Sequence, residues 1–157
     1  ERMRVIAWFH VGFRQMITID KPVKSLADFK GMKFRSPEVP MWINMFRALG
    51  AVPTPVPWAE VYTAMKTNLV EGMEAAPQAF VSKKLYEIAE YVTKTNHMYV
   101  CMALIVNEDS WQSYPKAVQQ GILRAAERME AKQRKEMIAE NEGGYDVLVE
   151  NGMTILT

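Results

Sequence analysis

Met32-Lys33-Phe34-Arg35-Ser36-Pro37 followed by Pro40-Met41-Trp42-Ile43-Asn44-Met45-Phe46-Arg47-Ala48-Leu49-Gly50 decides the fold class. The first piece reads as a short strand that Pro37 stops. The second reads as a helix from about Pro40 to Leu49, whose Trp42, Ile43, Met45, Phe46 and Leu49 make a broad apolar face, with Gly50 where a left-handed cap belongs. A strand giving way at once to an amphipathic helix is the unit of an α/β architecture.

The same alternation continues on both sides. Upstream, Val5–Phe9 and Phe13–Ile19 read as two strands separated by His10-Val11-Gly12, and Ser25 caps a short turn through Phe29 that Gly31 ends. Downstream, Val52-Pro53-Thr54-Pro55-Val56-Pro57 is too rich in proline for a central strand and reads as an extended edge. A helix runs from Trp58 or Ala59 to about Thr67, a strand over 69–74, and helical spacing over 79–88. Tyr91–Thr95 and Met98–Val106 read as two further strands. Asn107-Glu108-Asp109-Ser110 then opens a helical region, with Pro115 at a first-turn position, a long helix ending near Gly143-Gly144, a shorter one over 145–150, and a closing strand over 153–156. The sum predicts an α/β fold with a largely parallel sheet.

Composition excludes several classes. Nineteen Lys+Arg against eighteen Asp+Glu leave a net charge of +1 with interspersed signs, so no long-range field draws nucleic acid or an anionic membrane. No apolar run approaches the roughly 20 residues a bilayer crossing needs. The single cysteine, Cys101, lies in an apolar run and reads as a small buried hydrophobe; alone it makes no internal disulfide and no metal set. The chain opens almost directly on a core strand and closes equally abruptly, which predicts a fragment of a longer protein whose signal peptide lies elsewhere.

Catalytic signatures are weak. The two histidines, His10 and His97, stand in no recognisable motif, and His97 at the start of an apolar strand reads as structural. Neither a nucleophile elbow, a dinucleotide fingerprint nor a phosphate loop occurs, and no spacing suggests a metal. Two arginines stand out instead. Arg14 interrupts an apolar strand, and Arg35 ends one, where open α/β sheets bind ligands beyond the carboxyl ends of their strands. A guanidinium there offers a planar fork matched to a carboxylate. The alternative is a structural ion pair or a snorkelling surface arginine.

The run Leu26-Ala27-Asp28-Phe29-Lys30-Gly31-Met32-Lys33-Phe34-Arg35 resembles a segment of TRAP-transporter solute-binding proteins. So does the longer block Phe46-Arg47-Ala48-Leu49-Gly50-Ala51-Val52-Pro53-Thr54-Pro55-Val56-Pro57-Trp58-Ala59-Glu60-Val61-Tyr62-Thr63-Ala64-Met65. Val70-Glu71-Gly72-Met73-Glu74 and Lys84-Leu85-Tyr86-Glu87-Ile88 through Thr95-Asn96-His97 follow in the family's order and spacing. The resemblance implies two α/β lobes joined by hinge strands, here incomplete. Residues 1–11 would be a hinge or first-lobe strand, 12–98 the second, ligand-gripping lobe, and 99–157 a hinge strand with returning first-lobe helices. It also implies a periplasmic receptor, not an enzyme, that hands a small organic carboxylate, a sugar acid or an aromatic acid, to TRAP membrane subunits, with no nucleic acid partner and no cofactor.

By the same resemblance Arg35 is the clamp on the solute carboxylate, Arg14 a second arginine on that carboxylate, and Trp58 the aromatic packed on the solute. Glu74 belongs to the ligand-binding set. Ala75 stands where several members carry an asparagine that hydrogen-bonds the carboxylate, so either Gln78 or water takes over that donation here or the solute is held differently. Two other readings remain open at the level of sequence: an α/β enzyme acting on an organic acid with Glu74 as acid/base, and a ligand-sensing module of a signalling protein.

Overall fold

The computed structural model describes residues 2–157. Strand β1 (Met3–Thr18) is followed by a short 3-10 turn, β2 (Lys33–Ser36), α1 (Pro40–Ala48) and β3 (Val52–Pro55). Another 3-10 turn leads into α2 (Val61–Lys66), then β4 (Gly72–Ala75), α3 (Pro77–Ser82), β5 (Tyr91–Asn107), α4 (Glu108–Ser113), α5 (Lys116–Glu150) and β6 (Thr154–Leu156). One six-stranded sheet has the order β3-β2-β4-β1-β5-β6.

The α/β class holds, but the sheet is mixed rather than largely parallel. β2 runs parallel to β3 and β4, and β6 parallel to β5, while β1 pairs antiparallel with both β4 and β5. β1 and β5 lie side by side in opposite directions along most of their length, and strand–helix alternation between them does not encode that direction. β3 occupies the edge that its prolines require: Pro53 opposes Phe34 and Pro55 opposes Ser36, with no inner neighbour needing their missing N–H.

Successive strand residues face opposite sides of the sheet, and each side has its own core. Met16 packs with Val23, Phe29, Phe34 and Phe46 on one side, where Phe34 stacks on Phe46 at 5.0 Å between ring centres. Ile17 packs with Met65, Met73, Phe80, Leu85, Val92 and Leu148 on the other. Each fully enclosed aromatic or aliphatic side chain contributes about 1.5–3 kcal/mol relative to exposure, so this sandwich is the rigid frame on which the site sits.

Three expectations need correction. The strands expected on either side of His10-Val11-Gly12 are one continuous β1, and those on either side of Asn96-His97 are one β5; the interruptions are shifts in pairing register between His10 and Gly12 and between Arg14 and Met16. The helix expected to stop at Gly143-Gly144 runs on to Glu150. Gly144 is buried, and a side-chain carbon there would lie 3.4 Å from Pro77 and from the Gln78 nitrogen. It serves close approach of α5 to the start of α3, and the stop falls instead at Gly152, whose φ of +90° only glycine adopts readily. Finally, Cys101 is exposed, not buried. Beyond Phe13 and Tyr99 the β1–β5 pair leaves the six-stranded sheet as a two-stranded ribbon, and Trp8, Tyr99, Met102, Leu104 and Ile105 on it are exposed as well.

Candidate functional site

β2 ends at the sheet margin and carries Arg35 there. The residue is only 4% exposed. Its Nε donates to the Val56 carbonyl at 2.9 Å, and its guanidinium carbon lies 5.6 Å from the centre of the Trp58 ring. Among the described residues no carboxylate bonds to it, and its hydrogen bond to protein comes from Nε, which leaves the Nη edge without a protein partner. Burial pulls the pKa of Arg35 below its ordinary value, against the attraction of Glu74 and together with the repulsion of Arg14. A guanidinium still stays charged at any physiological pH. A buried cation whose planar edge is unfilled is a receptor for a planar anion.

Arg14 is held differently. Its Nε and Nη2 grip Glu74, with Nη2 at 2.8 Å from Oε1 and 2.9 Å from the Glu74 carbonyl. Antiparallel pairing makes this contact possible, because Met16 of β1 lies directly opposite Glu74 of β4. Glu74 is fully enclosed. Its pKa lies below the ordinary carboxylate range: burial acts to raise it, but His97 and Arg14 together more than offset that. The His97 Nε2 stands 3.6 Å from Glu74 Oε2, beyond a good hydrogen bond but close enough for ionic attraction once protonated, while its Nδ1 meets the Thr95 hydroxyl at 2.7 Å. The Trp42 ring lies 5.9 Å from the Arg14 guanidinium carbon. Arg14 is therefore fixed by a carboxylate and an indole, with one flank of its fork committed to the protein.

A cavity of about 370 Å³ opens beside these groups, lined among others by Arg14, Trp58, Ala75, Gln78 and Met102. That volume falls in the range of small-molecule sites. Trp58 is 41% exposed and so presents ring surface to this space. Of the residues singled out in the sequence, Arg14, Trp58 and Ala75 line the cavity; Arg35 does not line it but lies against Trp58, which does, and Glu74 stands behind Arg14. Ala75 is 1% exposed and brings no polar group, whereas Gln78, three residues on, does. Sequence reasoning missed Trp42 and the pairing of His97 with Glu74. The indole was absorbed into the apolar face of its helix, and a histidine opening an apolar strand carries no signal of a partner 23 positions away.

No group of three or more potential metal ligands occurs among the described residues, and no helix is long and apolar enough to cross a membrane. The chain belongs to the bacterial extracellular solute-binding proteins, family 7, whose model matches residues 1–157. It is 30% identical over 155 residues to the 2,3-diketo-L-gulonate-binding periplasmic protein YiaO of Escherichia coli K12, covering 99% of this chain and 47% of that one. It is 32% identical, with a TM-score of 0.92, to a TRAP periplasmic solute-binding protein from Bradyrhizobium sp. BTAi1 in complex with α/β-D-galacturonate, covering 99% and 52%. A TRAP periplasmic solute-binding protein from Roseobacter denitrificans OCh 114 with bound L-galactonate is 30% identical with a TM-score of 0.91, covering 98% and 51%. The chain thus spans about half the length of these relatives, which are named as periplasmic solute-binding proteins.

Proposed function

We propose that the protein captures a sugar acid between this half and a second lobe and delivers it to the membrane subunits of a TRAP transporter, working in the periplasm. Arg35 grips the carboxylate on its free Nη edge, Arg14 lends positive charge from the side, and Trp58 covers the carbon face of the solute. Glu74 acts through Arg14. Residues 12–98 form the gripping lobe, while 1–11 and 99–157 carry the connection to the other. The observation that carries this reading is Arg35, buried at 4% exposure with one backbone hydrogen bond and no carboxylate partner among the described residues.

The magnitudes are adequate. Two charge-assisted hydrogen bonds contribute about 1.5–3 kcal/mol each, and micromolar binding corresponds to about −8 kcal/mol, so apolar cover on Trp58 need supply only the remainder. A sugar acid suits the site better than a plain dicarboxylate, since an exposed indole face matches the C–H face of a sugar and gains nothing from a second charge. Capture without catalysis is supported by Glu74: an enzyme would use it as acid/base, yet it is fully enclosed and held by Arg14.

The test is calorimetry on the full-length protein with D-glucuronate, D-galacturonate, L-galactonate and 2,3-diketo-L-gulonate, with succinate and benzoate as contrasts. Micromolar or tighter binding of one sugar acid, recovered chemically unchanged, is expected. Absence of binding by all four, or conversion of any to product, would overturn the proposal.

A further inference from the structure

We infer that Asn141, in α5, is a positioning residue that couples the α3 wall of the solute cavity to the bulge at Val11 of β1; the inference rests on the capture reading above. Along the ribbon, β1 pairs with β5 on one edge only, and its other edge would be left with unpaired backbone groups. Side chains of α5 fill that edge in place of a strand. The Trp8 N–H donates to Glu130 at 3.3 Å, the His10 N–H donates to Gln133 Oε1 at 2.9 Å, and Gln133 Nε2 donates to the His10 carbonyl at 2.7 Å.

Asn141 makes the last of these stitches, and it alone reaches further. His10 opposes Cys101 and Gly12 opposes Val100, so Val11 is the extra residue of a bulge. The Asn141 Nδ2 donates to the Val11 carbonyl at 2.8 Å. Gly12 has a φ of +113°, and a side-chain carbon there would sit 2.7 Å from the same Nδ2, so bulge and amide are matched in shape. On its other side Asn141 Oδ1 accepts from the Gln78 backbone N–H at 3.2 Å. That N–H is in the first turn of α3, whose N-cap, Ala76, has no side chain able to cap it. Asn141 therefore supplies the helix cap from a distance of 63 residues in sequence.

The segment it caps is the cavity wall. Ala75, Ala76, Gln78 and Ala79 all line the space beside Arg14 and Trp58. One amide thus joins the α3 wall a solute presses on to the Val11 bulge, which lies on the stretch of β1 that pairs with β5 alone. A shift of the wall on solute seating is passed to the bulge, and the closed arrangement is favoured when the solute is in place. An asparagine in a helix interior is unfavourable by propensity alone, which is the trace of this role in the sequence.

The experiment uses the full-length protein with spin labels on the two lobes, titrated with D-galacturonate and the other three sugar acids, reading affinity and the closed fraction at saturation. Asn141→Ala is expected to weaken binding about 10-fold and to leave a substantial open fraction at saturation. Asn141→Asp, which keeps the acceptor for Gln78 but cannot donate to Val11, is expected to show the same incomplete closure, and it serves if the alanine variant folds poorly. Gln133→Ala loses two bonds to His10 of β1 but none to α3, and is expected to close fully. Full closure in both Asn141 variants, or an equal defect in Gln133→Ala, would overturn the coupling while leaving the capture reading intact. Failure of the wild type to bind any of the four acids would overturn both.

Discussion

Replacing Arg35 by methionine should separate binding from stability. The guanidinium is 4% exposed and holds a single protein hydrogen bond, to the Val56 carbonyl at 2.9 Å. A buried ion without a counter-charge costs several kcal/mol of desolvation, and the lost hydrogen bond costs about 1 kcal/mol. The variant without solute should therefore be as stable as the wild type, or more stable by about 1–2 kcal/mol, since a similar-sized apolar group replaces an unpaired charge. Binding should respond in the opposite sense. A carboxylate desolvated in the cleft without its fork loses about 2–5 kcal/mol, which is roughly 30- to several-thousand-fold in Kd. Urea denaturation without solute and calorimetry with the tightest-binding sugar acid read the two quantities independently. Arg35→Lys keeps the charge but not the planar edge, and should recover only part of the affinity. Unchanged affinity in Arg35→Met would refute the clamp. A loss of unliganded stability above about 2 kcal/mol would refute the argument that Arg35 is held ready at the expense of the fold.

Trp58→Ala should weaken sugar-acid binding by about 1–2 kcal/mol, from lost ring cover and lost support of the Arg35 guanidinium, with little change in the thermal midpoint because the ring is 41% exposed. Glu74 has a depressed pKa, so the stability it contributes is fully present above its ordinary value of 4.5 and is lost as pH falls through 4.5 and below. Urea midpoints from pH 7 to pH 3 should drop in that window, and Glu74→Gln should flatten the drop; an equally steep profile in the variant would assign the acid sensitivity elsewhere. Gly72→Ala should destabilise the protein by about 1–3 kcal/mol, since the added carbon would lie 2.6 Å from the Ile17 carbonyl oxygen and 2.9 Å from the Phe34 ring in the middle of the sheet. A wild-type urea midpoint would mean the strands can separate locally.

The elements were legible wherever local chemistry decides them. Pro37 and Gly50 bound the strand–helix unit around Arg35 as read, and the prolines at 53 and 55 put β3 on the sheet edge. Register and direction were not legible. His10-Val11-Gly12 reads as a break, because a bulge and a loop use the same residues, and only pairing with β5 tells them apart. Gly143-Gly144 reads as a helix stop, because a glycine is equally suited to ending a helix and to letting one pack closely, and only Pro77 on the far side decides. Cys101 reads as buried from its apolar neighbours, but the ribbon it sits on has no sheet behind it.

The amino-acid sequence by itself determined the α/β class, the family and the arginine at the end of β2, since these depend on periodicity, turn residues and an unusual local pattern. Tertiary structure alone decided which charges are committed and which are free. Arg14 and Arg35 carry the same side chain, yet cross-strand pairing closes Glu74 onto Arg14 and leaves the Nη edge of Arg35 unfilled, because ion pairing depends on distances between strands that no spacing along the chain encodes.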